Sequence, residues 1–367
     1  MGKSSCCLAI FLICSLAAVP ATAQLPTATG QQIQLSNPAW KLFIPSTYEQ
    51  RPGDVADVLI HFHGNPQTVW DNSLFADLNA VIVTVNYRGL SSAYSTPFSD
   101  QSLFQSLIDE SLTRVRGQPG FSTTLKWDQV GVSSFSAGYG AVREILKSRR
   151  YRNTIDALLA ADSLYATTAS DGTPLDSQMV DYKRFATLAK EGEKTFLFTH
   201  SQVLTYTYEN TMETGNELME HLQIEANPVS IDGLGTLEFY RHVKSGKFQL
   251  WGASGADGDA HLEHLRYIGF FLKEMPLAHL PSSGGDLDEN GAVGGSDLLR
   301  WQNLRSSFPW SASELKDWQA AYGTGLHDSA IVPAVPEPES AFSALLATGA
   351  LLAAMRDHLA GRVGPGG

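Results

Sequence analysis

The chain has 367 residues, 43% of them hydrophobic and 17% charged, with a formal net charge of −12 at pH 7. This length and composition fit a full-size folded core with appendages and exclude a wholly disordered chain. The acidic balance argues against nucleic acid as a partner, because phosphate binding needs a basic stripe. The densest basic cluster, Arg149, Arg150 and Arg152, reads as a solvated helix end.

The chain opens with "MGKSSCCLAIFLICSLAAVPATAQ". Lys3, the apolar run Leu8 to Val19 and the small residues Ala21-Thr22-Ala23 form the three parts of a secretory signal peptide over residues 1–23. Cys6, Cys7 and Cys14 all lie inside it, so an exported mature chain would have neither disulfide nor catalytic thiol. No small residue precedes Cys14 where a lipid-anchor site would want one.

Residues 24–280 read as one α/β domain. Apolar, β-branched runs at Val55–Phe62, Val81–Tyr87, Val130–Ser134, Ile155–Ala161, Thr195–Thr199 and Phe248–Trp251 are candidate strands. Between them lie candidate helices Ser102–Arg116, Gly138–Arg149, Gln178–Glu191, Asn216–Ile224 and Ala260–Glu274. Near-continuous apolar strands alternating with helices predict a mainly parallel sheet covered on both faces. A linker follows at 281–285, then a small module over 286–330 and a tail over 331–367.

The chemistry gathers at strand ends. "VGVSSFSAGYGAVREIL" runs from a strand through Ser134-x-Ser136-x-Gly138 straight into a helix. A sharp strand-to-helix turn around one serine exposes its hydroxyl and leaves almost no room two residues either side. Ser136 is the candidate nucleophile, and the Ala137 N–H at the helix start is one oxyanion donor. A serine hydroxyl needs a base held by a carboxylate. His261 opens the helix after the last strand and is the candidate base, with His264 one turn further in as the alternative, expected to pack or face solvent; Asp162 ends the apolar run "IDALLAAD". Glu209, Glu213 and the aspartates beside His261, Asp257 and Asp259, are the other candidates for the acid. The strand "DVLIHFHGN" ends in His63-Gly64, where the Asn65 N–H would be the second oxyanion donor. His63 is expected to line the pocket, and His200, next to Ser201, either lines it or is a satisfied loop histidine. A rival reading uses His61 and His63, on one face of a strand, to bind a metal.

In this order, strand-His63-Gly64, Ser134-x-Ser136-x-Gly138, Asp162 and His261, the chain resembles the α/β-hydrolase superfamily over roughly residues 30 to 280. The resemblance implies an eight-stranded, mainly parallel sheet and a Ser–His–Asp triad without a catalytic cofactor. Two features depart from the family pattern: Ser134 stands where glycine is usual, and the acid comes one strand early. The expected activity is hydrolysis of a carboxylic ester, free or polymer-linked. Two alternatives are a hydrolase-like binding protein with a decayed site and a metal-dependent hydrolase built on His61 and His63.

"DLDENGAVGGSD" places Asp286, Asp288, Asn290 and Asp297 at the first, third, fifth and twelfth positions of a calcium loop, with Gly291 at the turn and the Ala292 carbonyl as a further ligand. With the helix "DLLRWQNL" after it, this resembles one dockerin half and implies a structural Ca²⁺. The second half has no calcium loop, so a single stapled module is expected rather than a cohesin binder. "VPEPESAFSALLATGALLAAMRDHLAGR" resembles a PEP-CTERM sorting tail, implying an apolar C-terminal helix read by export and sorting machinery and a location at the cell surface or outside it; a simple membrane anchor is the alternative.

Overall fold

The structure, a computed structural model, describes residues 25–280, 293–304, 318–319 and 321–323. The chain divides into two units, Met1–Ser282 and Ser283–Gly367. In the first, chain order runs β1 (Gly30–Gln34), β2 (Trp40–Pro45), β3 (Val55–Phe62), α1 (Pro66–Phe75), β4 (Ala80–Val85), α2 (Ser91–Phe98), α3 (Gln101–Arg116) and β5 (Lys126–Phe135). A single 3₁₀ turn, Ser136–Gly138, leads into α4 (Tyr139–Lys147) and α5 (Arg149–Thr154). Then come β6 (Ala157–Ala161), α6 (Asp176–Lys190), β7 (Thr195–His200), α7 (Thr211–Leu222), β8 (Asn227–Asp232), β9 (Glu238–Ser245), β10 (Phe248–Ala253), α8 (Gly258–Arg266) and α9 (Gly269–Leu272).

The ten strands form one mixed sheet in the order β1-β2-β4-β3-β5-β6-β7-β10-β9-β8. The six strands from β4 to β10 in that order are mutually parallel, and antiparallel pairs close both ends. The expectation of eight strands is therefore corrected to ten. The six strands legible in the sequence are the six parallel ones. They are buried on both faces, so they read as continuous apolar runs. β8 is mostly exposed, and β9 buries only Phe239 and Val243.

Successive side chains leave a strand on opposite faces, and the core splits accordingly. Val58, Ile60, Phe62, Phe196 and Phe198 join α2, α3, α4, α6 and α7 on one face. Leu59, Ile82, Leu159 and Leu197 meet α1, α8 and α9 on the other. Helices thus cover both faces, as predicted. The single helix expected over 260–274 is broken in two by Asn72 of α1. Its amide donates to the Arg266 carbonyl at 3.0 Å and its carbonyl accepts the Gly269 N–H at 2.8 Å, satisfying the groups the break sets free.

In the second unit α10 (Gly295–Leu304) contains the helix read after the calcium-loop pattern. Asp297 is buried in its first turn and accepts the Gly294 N–H at 2.6 Å. Trp318 donates to the Gly294 carbonyl at 2.9 Å, and the Gly323 N–H reaches the Val293 carbonyl at 2.8 Å. Asp286, Asp288, Asn290 and Ala292 lie outside the described residues, as do the signal-peptide, linker and apolar-tail readings. Among the described residues no helix is long and apolar enough to cross a membrane.

Candidate active site

Three adjacent strands end in the same way. The residue directly after β3, β5 and β6 is His63, Ser136 and Asp162, with φ of 71°, 46° and 44°. Side chains with a Cβ are strained in this left-handed region, and such residues gather at functional sites. Here the reversal follows the C-terminal end of each parallel strand and gathers three polar side chains along one sheet edge.

Ser136 stands in the turn between β5 and α4, as the serine-glycine pattern predicts. A Cβ on Gly138 would lie 2.2 Å from the Phe62 carbonyl oxygen, so the approach of the turn to β3 admits glycine alone. Ser134 has a physical reason to replace glycine. Its buried hydroxyl is 2.9 Å from Ser163 Oγ, which is itself 2.9 Å from the Ser136 carbonyl. The Ala137 N–H lies in the first turn of the helical segment, where backbone donors have no intrahelical acceptor. Asn65 caps α1 with its side chain, accepting the Gln67 N–H at 2.9 Å.

His261 and Asp162, 99 residues apart in sequence, meet at 2.6 Å between Nδ1 and Oδ2. Asp257 caps α8, accepting the Ala260 N–H at 2.9 Å, and so fixes the turn that presents His261. A carboxylate only accepts, so Nδ1 carries the proton and Nε2 holds the lone pair a base needs. Asp162 is wholly buried, yet it also accepts the Ser201 N–H at 2.9 Å, the Ser201 hydroxyl at 2.7 Å and the Thr211 hydroxyl. Burial pushes its carboxyl up, but the nearby His264, the His261 bond and charge, and the Thr211 bond outweigh that and hold it well below the usual carboxylate range. The His261 ring stacks on Phe135, the residue before Ser136, at 4.6 Å. Among the described residues, Ser136 Oγ makes no hydrogen bond to His261; such bonds are often long before a substrate arrives.

The remaining candidates separate. His63 is half-buried, with Nδ1 2.8 Å from the Tyr94 hydroxyl and its ring stacked at 6.0 Å on Phe135. Burial, and then the neighbouring His261, lower its pKa. Tyr94 donates to the Tyr87 carbonyl at 2.9 Å, so His63 Nδ1 is the donor to Tyr94 and Nε2 is left as acceptor. His61 is buried, with Nδ1 2.7 Å from the Ser133 hydroxyl and Nε2 2.7 Å from the His63 carbonyl. Nε2 must donate to that carbonyl and Nδ1 accept from the serine, so neither nitrogen has a lone pair for a metal. Among the described residues no cluster of three or more His, Cys, Asp or Glu is placed to hold an ion.

Of the two readings of His200, its burial and bonding match the satisfied histidine and not the pocket wall. It is fully buried, with Nδ1 2.8 Å from the Ser201 carbonyl and Nε2 accepting Arg241 Nε–H at 2.8 Å. Glu213 closes a capping box with Asn210 at the start of α7, and Glu209 pairs its backbone with Ala166. Asp257 caps α8. None of the three shares the hydrogen bond that joins Asp162 to His261. Ser163, Ser201, Thr211 and Thr199 carry no signal in the sequence, since single Ser and Thr residues at or beyond the ends of strands and helices have no distinctive spacing. Thr199 Oγ1 accepts the Asp162 N–H at 3.0 Å and lies 2.7 Å from Nδ1 of buried His264.

No family model matches the chain, and no curated protein matches it. Solved structures with some likeness include a BES protein from Bacillus cereus, at 14% identity and a TM-score of 0.40, covering 72% of this chain and 99% of that one. A truncated carbohydrate esterase from gut microbiota aligns at 10% identity and a TM-score of 0.39, covering 70% and 98%. An enterobactin and salmochelin hydrolase aligns at 11% identity and a TM-score of 0.38, covering 67% and 94%. Likenesses this distant carry no argument about activity, which rests on the site itself.

Proposed function

We propose that the chain is a serine hydrolase of carboxylic esters. The observation that carries this reading is the 2.6 Å bond from His261 to buried Asp162 beside the strained turn of Ser136. Ser136 Oγ attacks the ester carbonyl as His261 Nε2 takes its proton. The Ala137 and Asn65 N–H groups hold the oxyanion, and His261 returns the proton to the departing alkoxide. Water then repeats the cycle on the acyl-enzyme. Asp162 keeps Nδ1 protonated and stabilises the imidazolium.

A fluorophosphonate probe tests the reading. Labelling at Ser136, abolished in Ser136→Ala together with ester turnover, is expected. An unlabelled, inactive but folded chain would instead mark a binding protein with a decayed site, which the missing Ser136–His261 hydrogen bond would favour.

The accompanying proposals are that the chain is exported and that its second unit holds a structural Ca²⁺. Asp297, buried at the head of α10, is the one described member of the ligand set. A chelator should lower the melting of that unit in the full chain and leave ester turnover unchanged.

A further inference from the structure

The first unit exposes five large hydrophobic side chains among its described residues: Leu90 at 80%, Leu204 at 59%, Tyr206 at 93%, Tyr208 at 45% and Leu262 at 45%. Scattered apolar residues on a surface need no explanation, but a concentration of them does. Leu90 follows β4, Leu204, Tyr206 and Tyr208 follow β7, and Leu262 follows β10 and sits next to His261. All five therefore belong to the segments that leave the C-terminal ends of parallel strands, the edge that carries Ser136, Asp162 and His261.

Three of them share one short loop, and that loop is fixed. Ser201 at one foot and Thr211 at the other both donate to Asp162. Glu209 and Ala166 exchange backbone hydrogen bonds at 2.7 and 3.2 Å. Gln202 N–H reaches the Gly255 carbonyl at 2.9 Å, on the segment that leads to His261. The exposure of Tyr206 and Tyr208 is thus a property of an anchored loop.

Tyr208 is also the outer end of an aromatic series that begins beside the nucleophile. Tyr139, the residue after the Ser136–Gly138 turn, lies 5.4 Å from the Tyr165 ring, and Tyr165 lies edge-on to Tyr208 at 5.7 Å. Arg143 fixes the inner part, with its guanidinium 4.8 Å from the Tyr139 ring and a hydrogen bond to the Tyr165 carbonyl. Leu90, Leu204 and Leu262 on the same edge would serve an alkyl group, whereas the three tyrosines form a separate series held by ring contacts. They suit a planar ring, which meets their faces and edges by quadrupole complementarity as well as by area.

We propose that the substrate is an aryl-bearing ester, with an aromatic ring in its acyl or alcohol part held by the Tyr139–Tyr165–Tyr208 wall. The proposal rests on the ester hydrolase reading and names its substrate class. The test compares pairs that differ in aromaticity and little in size: methyl 3-phenylpropanoate against methyl 3-cyclohexylpropanoate, and benzyl acetate against cyclohexylmethyl acetate. In at least one pair the phenyl member should be favoured in kcat/KM by roughly 2- to 12-fold, the range of aromatic pair energies. Tyr208→Phe should keep the preference and Tyr208→Leu should remove it, mostly through KM. Equal turnover within both pairs, or a preference that survives Tyr208→Leu, overturns the proposal. Ser136→Ala separates the two levels: if it abolishes turnover of every ester, the hydrolase reading stands whichever way the pairs fall.

Discussion

The His261 ring lies against the Phe135 ring, centroids 4.6 Å apart and planes 25° from parallel, so the proposed base packs on the neighbour of the proposed nucleophile. The backbone turn that aims Ser136 also places the surface on which the imidazole rests. The contact should matter to orientation more than to stability. Phe135→Leu is expected to lower kcat by about 2- to 12-fold with little change in KM, the range of an aromatic pair energy. A folded variant with unchanged kcat would show that the Asp162 bond alone orients the ring.

Asp162 is the proposed acid because of its contact with His261, and removing its charge should misorient the proposed base. Asp162→Asn is expected to cut kcat by on the order of 10⁴. Glu209→Gln and Glu213→Gln should stay near wild type in kcat, because Glu213 serves the α7 cap and Glu209 the Ala166 bridge. Collapse of either glutamine variant with Asp162→Asn active would move the acid to the loop after β7.

Ser134 and Gly138 flank the Ser136 turn symmetrically in sequence and unequally in space. Gly138→Ala would press a methyl onto backbone that cannot yield, and should cost about 3 kcal/mol. Ser134→Gly removes one buried hydroxyl bond and should cost about 1–2 kcal/mol while keeping activity. Urea midpoints of the two variants decide the order; a Ser134→Gly enzyme without activity would give that serine a part in the chemistry.

Stability should fall as pH drops below about 6.5, the ordinary histidine value. Burial lowers His61 and His264 to about 4, and burial with the Arg241 charge lowers His200 to about 3. Below pH 6.5 the unfolded chain binds protons that these folded rings refuse, so unfolding takes up as many as three. Asp162 has the depressed-carboxylate sign: its contribution is present above its unfolded pKa, near 4, and is lost only as pH falls below that. Urea midpoints should stay level from about pH 8 to about pH 7 and decline from about pH 6.5 to about pH 4.5. A flat profile to about pH 5 would mean that the three rings are not held neutral.

The parts of the fold legible in the sequence are those where burial is one-sided in its demands. β3, β4, β6 and β7 are buried along nearly their whole length because helices cover both their faces, so apolar residues dominate them and they could be read directly. β8 and β9 meet solvent and carry mixed side chains, so tertiary pairing rather than composition makes them strands. The break between α8 and α9 depends on Asn72, almost 200 residues away, which no local pattern reveals. At the site, Ser136, Asp162 and His261 were legible from their places at strand ends. Ser201 and Thr211 were not, since their partner in each case is a carboxylate about 40 or 50 residues earlier.

The left-handed turns at His63, Ser136 and Asp162 bear on how this protein could be engineered. Each holds a Cβ-bearing residue in a conformation that glycine adopts freely, at a penalty of about 1 kcal/mol or more. A screen rewarding heat resistance alone would drift toward glycine at these positions and strip out the side chains gathered at the sheet edge. Thermostabilising libraries should therefore hold all three fixed and draw their gains from sites such as the exposed strand β8, where no strained turn is at stake.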